Sequence, residues 1–68
     1  MNVHAMRRVL AQDIERVETE ALEAQAAMLA ADEAADPVAL SKARCDYECA
    51  MASLARKQGL FIRTAATL

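Results

Sequence analysis

A chain of 68 residues and 7.4 kDa is one small domain, and such a domain buries only roughly 60% of the surface its unfolded form exposes, which leaves no room for a deep catalytic cleft. Hydrophobic residues make up 56% of it, but 17 of them are Ala and only 19 are Val, Leu, Ile, Met, Phe or Tyr; a single Gly, Pro, Tyr and Phe and no Trp exclude turn-rich β architectures and aromatic-lined pockets, so the expected fold class is all-α. Ten acidic and eight basic residues, a net charge of -2 and a pI near 5.2 supply no overall field for nucleic acid or an anionic membrane.

No charged-then-apolar leader opens the chain. Arg7-Arg8 precedes only Val9-Leu10 before Gln12 and Asp13 intervene, so it is not a twin-arginine signal, and export would use a route that reads no cleavable signal. No run approaches the roughly 18 to 20 apolar residues of a bilayer span, so the protein is not expected to cross a membrane. His4 is the single histidine; with no Ser, Cys or carboxylate at catalytic spacing it reads as a solvated side chain. The first helix is predicted from about residue 3 to 35, on the order of 50 Å at 1.5 Å per residue. Its seam is Leu10, Ile14, Val17, Ala21, Ala24, Met28, Ala31 and Ala35, stepping by alternating fours and threes as the a and d positions of a heptad do. Half of that seam is Ala, which permits close approach but buries little area.

Asp36-Pro37 divides the chain. Proline disfavours the α region for the residue before it and suits the first position of a new helix, while the Asp36 carboxylate can accept from the free N–H of Ala39 and meet the positive end of the helix dipole. The second helix is predicted from 37 to about 67, with Leu40, Ala43, Tyr47, Ala50, Leu54, Phe61 and Leu68 on one seam that Lys57 and Thr64 interrupt. Gly59 is a weak point in an otherwise continuous helix; the other reading stops the helix at Gln58 and leaves a docked tail. The two helices pair as a single hairpin over residues 1–68.

Both helices carry apolar or small residues off the seam: Val9, Leu22 and Leu29 on the first, and Cys45, Cys49, Met51 and Ala52 on the second. A two-helix hairpin cannot bury two faces, so these residues point to an assembly. Charge is divided as well: residues 1–36 hold three basic and eight acidic side chains, net -5, and residues 37–68 hold five basic and two acidic, net +3. Asp13, Glu15, Glu18, Glu20 and Glu23 are therefore set to face Lys42, Arg44, Arg56, Lys57 and Arg63, within one hairpin or between neighbouring subunits. Cys45 and Cys49 are four apart on a helix, too few ligands for a structural zinc site and poorly placed for a mutual disulfide, so they read as small apolar packing. Met1, Met6, Met28 and Met51 read as core filler. No nucleophile constellation, phosphate loop or metalloprotease motif occurs, and no enzyme activity, metal or cofactor is expected.

From residue 36 onward, the order Asp36-Pro37, Leu40, Lys42, Tyr47, Met51, Leu54-Ala55-Arg56-Lys57 and a small apolar ending over 64–68 resembles the C-terminal half of type III secretion needle and inner-rod subunits. The first helix is more Ala-rich than theirs and lacks the Gly and Ser breaks many of them have. The resemblance implies a hairpin that is marginal alone, is exported without a cleaved signal to the cell envelope or surface, and polymerises around a narrow channel. It implies that Arg56, Lys57 and Arg63 lie near the channel and that Leu54, Phe61 and Leu68 lie in the subunit interface.

The expected function is thus a structural subunit that self-assembles into a filament or rod forming a protein-secretion conduit. Its assembly residues are Leu10, Ile14, Val17, Met28, Leu40, Tyr47, Met51, Leu54, Phe61 and Leu68; its partners are further copies of the chain and other secretion-apparatus proteins or chaperones. Leu54→Asp is expected to abolish assembly and leave the monomer soluble. The alternatives are a hairpin chaperone or adaptor for a secretion subunit in the cytosol, and an autonomous coiled-coil dimer; stoichiometry and concentration dependence separate the three.

Overall fold

The computed structural model describes residues 2–66 and is an antiparallel hairpin of two long helices, α1 (Val3–Glu33) and α2 (Pro37–Ala65). The expected all-α hairpin is the fold observed. The pair forms a rod of 49 × 14 × 14 Å between Cα atoms. Each helix starts on a side-chain cap. Asn2 Oδ1 accepts from the Ala5 N–H at 2.8 Å, and Asp36 Oδ1 accepts from the Ala39 N–H at 3.1 Å with Pro37 in the first turn. Each satisfies one of the four N–H groups that a helix start leaves without a partner.

The first helix ends two residues earlier than periodicity suggests. Ala35, expected on the seam, is exposed and adopts a left-handed backbone with φ of 53°. Its N–H donates to the Asp32 carbonyl at 3.1 Å, and the Asp36 N–H donates to the Ala31 carbonyl at 3.0 Å. This double return is the Schellman arrangement, which reverses the chain and occupies carbonyls at the helix end. Glycine is the usual residue there because a Cβ is penalised at positive φ. α2 runs without a break through Gly59, where a Cβ would meet nothing within 4 Å.

The hairpin core lies along the expected seam. Leu10, Val17, Ala21, Ala24 and Ala31 of α1 are buried, as are Ala43, Ala50 and Thr64 of α2. Val17, Ala21 and Ala50 form its centre, with Tyr47 and Leu54 packed against them half-buried. Ile14, Met28, Leu40 and Phe61 are half-buried at the other seam positions. The small Ala side chains let the helices meet closely, but among the described residues no large side chain is fully covered.

Lys57 and Thr64 do not interrupt the seam; they continue it. Lys57 is half-buried and its Nζ donates to Asp13 Oδ2 at 3.5 Å, while buried Thr64 accepts at Oγ1 from Arg7 Nη1 at 2.9 Å. Arg7 also donates to the Phe61 carbonyl at 2.6 Å and stands 3.9 Å over the Phe61 ring. A cation near the C-terminal end of α2 meets the negative pole of that helix, and the ring face adds a cation–π attraction. The half of the hairpin away from the turn is therefore tied by polar contacts across the seam.

Candidate assembly surface

What the hairpin leaves uncovered is set by the seam. Lettering the seam positions a and d, one flank of the rod is formed by positions e and b of both helices and the opposite flank by g and c. The e and b flank carries Leu22 and Leu29 from α1 and Met51 and Ile62 from α2, with fractional exposures of 66%, 62%, 41% and 70%. A shallow groove runs between the helices on this side, lined by Glu18, Ala21, Leu22, Gln25, Tyr47, Met51 and Leu54. It forms because half-buried Tyr47 and Leu54 at a positions meet a small residue, Ala21, on the facing helix.

The g and c flank is different in character. Its groove is lined by Glu20, Glu23, Ala24, Ala27, Asp46, Cys49, Ala50 and Ser53, and three of those eight are carboxylates. Lys42, Arg56 and Arg63 stand exposed along the same flank of α2. Val9 and Leu60 are the large apolar residues exposed there, toward the end opposite the turn.

The sequence-predicted residues therefore separate into two groups. Leu10 and Val17 are buried between the helices, and Ile14, Met28, Leu40, Tyr47, Leu54 and Phe61 stand half-buried along the seam, Tyr47 and Leu54 at the edge of the groove. Of the expected assembly residues Met51 is the one that stands off the seam and exposed, so reading it as core filler is corrected. Leu68 and Met1 lie outside the described residues. Met6 and Met28 are half-buried, and His4 is exposed. Cys45 and Cys49 are free and exposed, Cys49 at the edge of the groove that Glu20 and Glu23 of α1 also line, so neither is buried inside the hairpin. Asp36 and Pro37 cap the turn as expected. Of the three proposed channel residues, Arg56 and Arg63 share an exposed stripe, whereas Lys57 faces α1.

The acidic and basic runs meet less than the charge division suggests. Among the described residues one ion pair crosses the helices, Lys57 with Asp13; Arg16 pairs with Asp13 at 3.4 Å and Glu20 at 3.7 Å within α1, and Lys42 with Asp46 at 3.1 Å within α2. Arg44, Arg56, Arg63, Glu15, Glu18 and Glu23 make no ion pair within the described chain and are exposed. Among the described residues no group of three or more His, Cys, Asp and Glu is placed to hold a metal ion, and no helix is long and apolar enough to cross a membrane. Comparison with known proteins finds no family model, no curated protein and no solved structure that matches the chain.

Proposed function

We propose that the protein is a structural subunit that associates with its own copies along the length of the rod and builds a homopolymer, its role residing in packing rather than catalysis. The observation that carries this reading is the strip of Leu22, Leu29 and Met51, exposed on a hairpin whose own seam, among the described residues, buries only Leu10 and Val17 of the large side chains. A small helical pair with so little covered area is marginal by itself and gains stability from any contact that covers the strip. The likeness of residues 36–68 to needle and inner-rod subunits supports taking the polymer as a protein-secretion conduit. In such a conduit the exposed stripe with Arg56 and Arg63 is the part of α2 free to face a channel.

Sedimentation velocity and negative-stain imaging of the purified chain, from micromolar to millimolar concentration, test the proposal. Long homopolymers at raised concentration are expected. A discrete complex with a different chain and no homopolymer would instead identify an adaptor, and a species of fixed small size would remove the filament reading.

A further inference from the structure

We propose that the charged g and c flank is a second self-association surface, on which two copies lie face to face with their turns at opposite ends, α1 on α1 and α2 on α2. The inference rests on the self-association part of the preceding proposal and supplies the contact that joins copies already held through the apolar strip. Three observations carry it.

The first is a lengthwise division of charge within this one flank. Toward the turn it carries three carboxylates, Glu20, Glu23 and Asp46, against one cation, Lys42, for a net charge of -2. Toward the other end it carries three cations, Arg16, Arg56 and Arg63, against one carboxylate, Asp13, for a net charge of +2. Both signs belong to one chain, so the flank is complementary to itself when a second copy is turned end for end. Glu23 and Arg56, one in each half, make no ion pair within the described chain.

The second is register. The cross-helix contacts Arg7–Thr64 and Asp13–Lys57 place residues whose numbers sum to 70 or 71 at one level of the rod. With a two-fold axis at the level of Glu20 and Met51, Arg16 faces Glu23 of the other copy and Arg56 faces Asp46, each within about 3 Å along the rod and each twice by symmetry. The Glu20 side chains of the two copies approach at the axis, where each keeps Arg16 of its own chain at 3.7 Å. Val9, 46% exposed, comes over Ala30 of the second copy, whose small side chain leaves it room. The same axis lies close to the middle of α1 (Val3–Glu33) and of α2 (Pro37–Ala65), so the rods cover each other over nearly their whole 49 Å.

The third is direction. A second copy running the same way would lay α1 on α2 and, in register, set Arg16 against Arg56. Sliding it along to escape that repulsion uncovers part of the rod. Exposed ion pairs are individually weak, so this contact acts on copies that the apolar strip has already gathered and does not pair free chains. Closed contacts on two opposite flanks then alternate into an open assembly. Arg56 is engaged between copies, which leaves Arg63 as the member of that stripe free to face a channel.

Two experiments on the full chain decide it. In sedimentation velocity at low salt, Arg56→Glu removes two ion pairs by symmetry and is expected to weaken growth about tenfold while helicity is kept. Adding Asp46→Arg to that variant re-forms both pairs with reversed sign and is expected to restore growth. In a Cys45→Ser, Cys49→Ser background, Val9→Cys and Ala30→Cys chains mixed and treated with a thiol oxidant are expected to give mixed covalent dimers in large excess over either homodimer, since the two positions lie about 30 Å apart within one copy. Predominant homodimers, or no cross-link, overturn the arrangement. Wild-type growth that Arg56→Glu leaves unchanged, or that Asp46→Arg fails to restore, overturns this inference alone. A species of fixed small size removes this contact together with the filament reading, and a wild-type chain that stays monomeric overturns both proposals.

Discussion

Ala35 occupies the conformation for which helix ends usually recruit glycine, and the one glycine of the chain, Gly59, sits in a helix interior. Both positions are therefore improvable. Ala35→Gly removes a Cβ from a left-handed backbone and is expected to stabilise the hairpin by about 1 kcal/mol. Gly59→Ala adds a methyl into open space at an ordinary helical φ and is expected to add about 1 kcal/mol more by restricting the unfolded chain. Each gain corresponds to a rise of roughly 4 to 8 °C in Tm, measurable by circular dichroism at one fixed protein concentration. The turn itself was legible at Asp36-Pro37, since a capping carboxylate before a proline has few other structural meanings. Its left-handed residue was not, because an alanine at that site carries no compositional mark and the heptad continues through it.

At the scale of the helices, periodicity located the seam and the hairpin but not what the seam holds. Lys57 and Thr64 read as interruptions because their partners, Asp13 and Arg7, sit 44 and 57 residues away and are matched to them only by the cross-helix register. Polar residues at seam positions are known to specify register at some cost in stability. Arg7→Ala removes the donor to the Phe61 carbonyl and to Thr64 and the cation over the Phe61 ring, and is expected to cost about 1.5 to 3 kcal/mol in urea denaturation. Leu54→Asp was expected to leave a soluble monomer without assembly. Because Leu54 packs against Val17, Ala21 and Ala50, the substitution is instead expected to cost the hairpin on the order of 2 kcal/mol and lower its helicity even in dilute solution. The seam residues expected to serve assembly pack first within the hairpin: a seam can be satisfied by the chain's own second helix, and sequence spacing does not say whose seam faces it. The off-seam residues Leu22, Leu29 and Met51 were the informative ones.

For the whole molecule, the exposed charges that pair with nothing inside the described hairpin determine how association responds to salt. Arg44, Arg56 and Arg63 on α2 and Glu15, Glu18 and Glu23 on α1 are exposed, so their attraction between copies is screened as the Debye length falls from about 10 Å at 0.1 M toward 3 Å at 1 M. Association is expected to weaken severalfold over that range by light scattering, while the apolar strip keeps some of it at high salt. Complete insensitivity to salt would remove charge from the account and leave packing alone.

The apolar strip is the feature on which self-assembly depends, and sedimentation velocity of the wild-type chain beside Leu22→Asp over a thousandfold range of concentration reads its role most directly. The wild type is expected to grow in mass with concentration and the variant to remain a helical monomer. A wild-type chain that sediments as a folded monomer throughout would contradict the reading of this surface as one that recruits its own copies.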